Sequence, residues 1–221
     1  PDRPMILVDS KELAGGKPII SLLRNKYGVN PVVMQLTSAD YVISNRLAVE
    51  RILDTEFSAS NMPVKVTDKV KLMCDAFEKS FVIIQTDCRK RVSSFNKLSS
   101  KYLQFSLHVN LHPSARVLFS CSFEESASLL SDIILKEQRN GFLIDVPVVL
   151  NPSTQLLFDF YHSCPHVTPI CALRFAYHFP VVGMFLNNSV ESLKKAGSIS
   201  TRKAISILEY FKSEILFDAY S

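Results

Sequence analysis

No segment of the 221 residues approaches the roughly 20 consecutive apolar positions of a membrane-spanning helix; the most apolar stretch, Ala172 to Leu186, is broken by Arg174 and His178. A spanning helix is excluded, and no membrane partner is expected. The opening Pro-Asp-Arg-Pro has no initiator Met, no basic segment and no apolar one after it, so it reads as part of a longer polypeptide rather than a leader. The five cysteines, Cys74, Cys88, Cys121, Cys164 and Cys171, are odd in number and show no C-x-x-C spacing. That pattern argues against a disulfide framework and a zinc site, and for free thiols in a reducing compartment. Charge of one sign is also scarce: 25 Lys and Arg against 21 Asp and Glu leave +4, which permits nucleic acid as a partner without requiring it. What is abundant is apolar residues, 47% of the chain, enough for one large domain or two small ones and too many for disorder.

The first half alternates short apolar runs with longer periodic ones, the pattern of a layered α/β domain. Strands are expected at Met5 to Asp9, Pro31 to Leu36, Tyr41 to Ser44, Leu47 to Ile52, Phe81 to Gln85 and Ala115 to Ser120. A helix carrying Ile19, Ile20, Leu22 and Leu23 follows Gly15-Gly16-Lys17-Pro18, a second spans Val64 to Lys79, and a weak one lies around Tyr102 to Leu107. Phe123 to Arg139 is a long amphipathic helix announced by the capping pair Ser122 and Glu125. The proline pair in 147–152 marks a linker between a domain of residues 1–146 and a second of 153–221. Beyond it only helices are expected: Gln155 to Tyr161, Pro169 to Phe179, Ser189 to Lys195 and Thr201 to Phe217.

Chemistry enters through carboxylates at strand ends. Asp9 closes the first strand with Glu12 three residues on, Asp40 opens the third, and Glu50 lies on the fourth. Convergence of Asp9, Asp40 and Glu50 at one sheet edge would offer oxygen ligands to Mg²⁺ or Mn²⁺, suited to activating water against a phosphodiester; exposed, solvated acids are the alternative.

Val8-Asp9-Ser10-Lys11-Glu12, then Ala39-Asp40-Tyr41-Val42-Ile43-Ser44 and Val49-Glu50-Arg51, resemble the nuclease domain of the XPF family of structure-specific endonucleases, whose signature is G-D-x(n)-E-R-K-x-x-x-D. The helices after residue 152 resemble the tandem helix-hairpin-helix module of the same family. The resemblance implies a central mixed sheet flanked by helices, restriction-nuclease-like, followed by a small all-α domain. The run from Arg116 to Leu130, Glu137-Gln138-Arg139 and 146–151 are similar to the Fanconi anaemia branch, in which a degenerate nuclease forms the tail of a DNA translocase and pairs with a smaller XPF-like subunit in the nucleus. Three signature positions depart: Ala39 for Gly, Ile52 for Lys and Glu56 for the final Asp. Ile52 matters most, because a hydrocarbon neither polarises water nor binds phosphate; losing one such group costs about 10² to 10³ in rate. The degenerate site is therefore Asp9, Glu12, Asp40, Glu50, Arg51, Ile52 and Glu56, with no cofactor required and Mg²⁺ or Mn²⁺ expected only if the acids function.

Helix-hairpin-helix modules hold DNA by backbone N–H groups aimed at phosphates. Pro165-His166-Val167-Thr168-Pro169 has no glycine and is expected to be structural, whereas Ala196-Gly197-Ser198-Ile199-Ser200-Thr201 is the better phosphate site. Its contact residues would be Lys194, Lys195, Gly197, Ser198, Arg202 and Lys203, or else it is an ordinary capped helix. Arg89, Lys90 and Arg91, with Lys97 and Lys101, form a second basic stretch. His108, His112, His162, His166 and His178 show no metal pattern and are expected to be structural. The apolar helix Phe123 to Arg139 and the helices around Leu173, Phe175, Phe179 and Phe185 hold more apolar surface than a small module can cover, and a partner is expected there.

Two classes of function result. One is a non-catalytic module that binds branched or single-/double-stranded junction DNA, forms a heterodimer and targets a repair translocase. The other is a metal-dependent structure-specific endonuclease using Asp9, Asp40 and Glu50; a meiotic scaffold of the same family shares the chemistry of the first.

Overall fold

A computed structural model describes residues 3–58, 62–86, 95–148, 151–165 and 167–219, with side chains at 57–58, 62–65, 95–101 and 214–219 outside the description. The chain divides into two units, Pro1–Ile144 and Asp145–Ser221.

The first unit is a six-stranded sheet of order β2-β1-β3-β4-β5-β6, formed by β1 (Met5–Asp9), β2 (Asn30–Met34), β3 (Tyr41–Ser44), β4 (Leu47–Leu53), β5 (Lys79–Gln85) and β6 (Ala115–Ser120). β3 runs antiparallel to both neighbours, and the other pairings are parallel, so the sheet is mixed as expected. The tight turn at Asn45 sets β3 against β4, pairing Tyr41 with Val49 and Val42 with Ala48. The parallel partners β4 and β5 are largely buried along their length, their apolar residues interrupted by Glu50-Arg51 in β4 and by polar residues at the ends of β5.

Side chains alternate across the sheet, and the alternation separates two cores. Ile6, Val8, Tyr41, Ile43, Leu47, Val49 and Ile83 face α2 (Lys17–Asn25) and α5 (Phe123–Arg139), where Ile19, Ile20, Leu23, Ala127, Leu130, Ile133 and Ile134 complete a buried cluster. Leu7, Val42, Ala48, Ile52, Val82 and Ile84, also buried, occupy the alternate positions, on the side of α3 (Met62–Ala76) and α4 (Phe95–Asn110) with buried Val66, Val70, Met73, Phe105 and Val109. A short helix α1 (Glu12–Gly15) follows β1, and a 3-10 turn, Asp54–Ser58, follows β4. Both escape a search for long periodic segments because each is about one turn. Ser122 caps α5 by accepting from Glu125 N–H, while the Glu125 carboxylate accepts from Cys121 N–H, which realises the capping pair read from sequence.

The second unit is helical throughout: α6 (Pro152–His162), α7 (Pro169–His178), α8 (Val182–Leu186), α9 (Val190–Gly197) and α10 (Thr201–Ala219). Asn151 and Thr154 form a reciprocal capping box at the start of α6. An aromatic knot of Tyr161, Phe175, Phe179, Phe185 and Phe211 fills its centre, with ring centroids 4.8 to 6.3 Å apart. Tyr161, fully buried, donates its hydroxyl to the Phe179 carbonyl at 2.9 Å.

This corrects one sequence expectation. Leu173, Phe175, Phe179 and Phe185 are buried within their own unit, and Ala127, Leu130, Ile133 and Ile134 of α5 lie on the sheet, so these residues are covered without a partner, while Phe123 and Leu135 of α5 stay exposed. α8, which carries Phe185, and Phe211 of α10 supply cover within the unit. Among described residues, exposed apolar side chains recur every fourth residue at Leu103 and Leu107 of α4 and at Leu111 just after it.

Candidate functional site

The C-terminal ends of β1 and β4, and the residue before β3, meet at one edge of the first unit. Asp9 ends β1, and its Oδ1 accepts from Lys11 N–H at 2.8 Å. Asp9 N–H donates to the Asp40 carbonyl at 2.8 Å, which holds the β1 end to the β3 start. The Asp40 carboxylate then accepts from the Arg51 N–H at 2.9 Å, across to β4. Three carboxylates named from sequence, Asp9, Asp40 and Glu50, line a small pocket with Lys11, Ser38 and Lys69. All three are buried, at 2%, 6% and 3% exposure, which removes the reading of solvated surface acids.

Strand alternation divides the signature residues between the two faces. Asp9 and Glu50 lie on the α3 side, where Lys69 reaches from α3 and forms an ion pair with Glu50. Glu12, Tyr41 and Arg51 lie on the α5 side. There Arg51 makes a fork with Glu12, Nε to Oε2 at 2.9 Å and Nη2 to Oε1 at 3.0 Å, while Nη1 donates to Gln85 Oε1 at 3.1 Å. Tyr41 donates to the same Glu12 carboxylate, and Gln85 accepts from Ser126 Oγ at 3.0 Å. Gly16 is needed beside this pair, since a Cβ there would collide with the Glu12 carboxylate and stand 3.2 Å from Arg51 Nη2. Glu12 and Arg51 thus form a closed structural network behind the pocket. Ile52 is 1% exposed and packed in the core, and Glu56 folds back to accept from Leu53 N–H at 3.1 Å.

Burial pushes the Asp40 carboxyl well above the usual carboxylate range; the adjacent Glu50 charge adds to the rise and Lys69 opposes it. Burial likewise raises Glu50, with Lys69 restraining the shift. Burial disfavours the Lys69 ammonium, but Glu50 outweighs it and the lysine is held charged. Burial and then the charge of Glu12 raise Tyr41, so its hydroxyl stays protonated as a donor. As arranged among the described residues, no group of three or more His, Cys, Asp or Glu forms a metal-holding cluster, and the cation paired with Glu50 is the Lys69 ammonium. A divalent ion does not fit this donor set while Lys69 engages Glu50.

Sequence reasoning missed Lys69, Gln85 and Ser126. None stands near a signature position in the chain: the packing of α3 and α5 on opposite faces brings in Lys69 and Ser126, and the pairing of β5 with β4 brings in Gln85. A second unforeseen cluster lies at the other end of the sheet. Arg46 forks onto Glu137 at 3.0 and 3.0 Å, with Lys79 at 3.6 Å and Ser44 Oγ at 3.2 Å, and the Arg46 guanidinium lies 3.3 Å from the Phe142 ring centroid. It ties α5 to the β3–β4 turn.

In the second unit, the hairpin before α7 is built into the core: Val167, Thr168 and Pro169 are buried, Thr168 Oγ1 caps α7 by accepting from Cys171 N–H, and His162 Nδ1 donates to the Val167 carbonyl at 3.1 Å. Burial lowers the His162 pKa, consistent with a neutral structural imidazole. The hairpin before α10 exposes Lys195 and Arg202, with Lys194 and Lys203 half-buried and Lys194 3.5 Å from Glu191. Gly197 serves packing: a Cβ there would lie 2.9 Å from the Phe175 ring and 3.1 Å from Cys171 Sγ. The left-handed residue is Ser198, at φ 52°. Arg89, Lys90 and Arg91 lie outside the described residues, as do the side chains of Lys97 and Lys101 and residue His166.

No protein-family model matches the chain. It is 34% identical over 209 residues to the Fanconi anemia group M protein of Gallus gallus, across 94% of this chain and 10% of that protein. It is 24% identical over 199 residues to the 3'-flap repair endonuclease Xpf of Saccharolobus solfataricus, across 86% of this chain and 82% of that one. The solved structure of XPF from Aeropyrum pernix covers 92% of this chain and 96% of its own with a TM-score of 0.53 at 20% identity, which shows a shared fold. The chain spans about a tenth of the length of the group M protein it matches. An apolar, fully cored mixed sheet with a degenerate acid signature at its edge, followed by paired helical hairpins, thus coincides with both sequence and structural likeness: the chain is an XPF-like domain, close to the Fanconi anemia group M protein.

Proposed function

We propose that this XPF-like domain is a DNA-repair module that binds branched or junction DNA without cutting it, and that it works in the nucleus as the non-catalytic half of a heterodimer with a smaller XPF-like subunit. The observation that carries the reading is a pair of features two residues apart on β4. Ile52, where the family signature has lysine, is buried hydrocarbon, and Glu50, the acid before it, is engaged by Lys69 from a different element. The acid framework is kept and its chemistry is spent internally, as in a scaffold. DNA contact is assigned to Lys194, Lys195, Arg202 and Lys203 with the backbone of Gly197 and Ser198, and to the basic stretch at Arg89, Lys90 and Arg91. The exposed Leu103 and Leu107 of α4, with Leu111 just after it, are assigned to the partner subunit.

A second reading is favoured by one observation, the convergence of Asp9, Asp40 and Glu50 on a single pocket. On that reading the chain is a metal-dependent flap or junction endonuclease. A gel assay separates them: labelled splayed-arm and flap DNA with the purified chain in Mg²⁺, Mn²⁺ or chelator, beside Asp40→Ala. The scaffold reading expects a shifted, uncut band in all three conditions. Metal-dependent incision that Asp40→Ala abolishes would replace it with the enzyme.

A further inference from the structure

The pocket at the sheet edge holds three carboxylates and two lysines. Lys11 Nζ lies 4.0 Å from Asp9 Oδ2, largely in solvent, and contributes little. Lys69 differs. It leaves the middle of α3, places its ammonium on the buried Glu50 carboxylate, and lines the same pocket as Asp9 and Asp40. The Glu50 side chain is 4% exposed while that of Lys69 is 50% exposed, so the lysine reaches the buried carboxylate from the solvent side.

We propose that the Lys69 ammonium takes the place of a divalent cation at this pocket, so that Glu50, beside Asp40, is neutralised by a side chain of the chain itself and a metal ion enters only if Lys69 leaves. The proposal deepens the non-cutting reading and rests on it. Buried acids lining one pocket repel one another, and a positive charge beside them relieves that repulsion. An oxygen-ligated metal would supply that charge and bind water; an ammonium supplies it with three N–H donors and offers no Lewis-acid site. α3 delivers it because Val66, Val70 and Met73 bury one face of the helix on the sheet, which fixes Lys69, one position before Val70, toward the sheet edge. The ammonium also approaches Glu50 from the helix layer, whereas a lysine at position 52 would project from β4 itself; Ile52 on that strand is therefore free to pack against the core without leaving Glu50 uncompensated.

The test titrates Mn²⁺ into the full chain and reads free Mn²⁺ by electron paramagnetic resonance. Wild type and Lys69→Arg are expected to bind weakly. Lys69→Met is expected to gain one site at least about tenfold tighter, because a competing charge beside the carboxylates is gone. Adding Glu50→Gln to Lys69→Met is expected to remove that site. Lys69→Gln repeats the comparison with a side chain that can still donate to Glu50, and circular dichroism and thermal melts verify folding of each variant. Equal Mn²⁺ affinity in wild type and in both neutral variants, whether tight or absent, overturns the proposal. The two readings fail separately: incision of flap DNA by wild type overturns the non-cutting function, whereas an uncut substrate with Mn²⁺ affinity indifferent to Lys69 leaves that function standing and removes Lys69 from the role.

Discussion

At the scale of single residues, burial decides what each acidic side chain does. Asp40 is a buried carboxylate beside a second one, and its pKa is raised by burial first and Glu50 second. A raised folded pKa means stability that is present below the unfolded value and is lost as pH rises through the folded one, so at neutral pH the Asp40 charge is destabilising. Asp40→Asn keeps an oxygen to accept from Arg51 N–H and removes the charge. It is expected to raise stability at pH 7 by about 1 kcal/mol, or about 3 °C in Tm, and the gain shrinks toward pH 4, where the native Asp40 is itself protonated. Thermal melts at the two pH values check both the size and the sign. Arg51 presents the opposite case. It is buried with Glu12 in a bidentate pair, and Arg51→Met strands the Glu12 carboxylate, which costs about 3–5 kcal/mol in urea unfolding. Replacing Glu12 and Arg51 together by Gln and Met is expected to cost less than Arg51→Met alone, since no charge is then left unpaired.

At the scale of elements, the α9–α10 hairpin shows how packing and recognition share a short segment. Gly197 lies at the end of α9 against Phe175 and Cys171, where a methyl group has no room. Gly197→Ala is expected to destabilise the second unit by about 1–3 kcal/mol through overpacking. Ser198 carries the left-handed backbone conformation that glycine adopts without strain, so Ser198→Gly is expected to stabilise by about 1 kcal/mol. The opposite signs at adjacent positions, read by chemical denaturation, distinguish a steric glycine from a conformational one. α3 is the other element whose placement carries meaning, since a helix shifted by one residue would turn Lys69 away from Glu50.

At the scale of the whole molecule, a basic hairpin on a helical unit and an acid pocket on an α/β unit are separate properties, and DNA affinity is expected to follow the first. Replacing Lys194, Lys195, Arg202 and Lys203 together by Glu is expected to weaken binding to flap and duplex DNA alike. It should flatten the dependence of log affinity on log salt by about 0.9 for each phosphate that is no longer neutralised. Fluorescence anisotropy across a salt series measures both. An unchanged slope would move the DNA-binding surface away from this hairpin.

The chain by itself determined its strands and its acids. β3 and β6 begin and end where the apolar runs do, α5 is bounded by its own capping pair, and Asp9, Asp40 and Glu50 are named by strand ends and by a signature that survives three substitutions. Such features are local, set by side-chain periodicity and turn chemistry within a few residues. The sheet order, the division of the signature between two faces, the ion pair of Lys69 with Glu50, and the burial of the second unit's aromatics were decided only by tertiary structure. The physical reason is that each depends on which elements meet in space. Lys69 stands 19 residues from Glu50 along the chain and Gln85 stands 34 from Arg51, and no local pattern joins partners brought together by a helix packing on the sheet or by the pairing of distant strands.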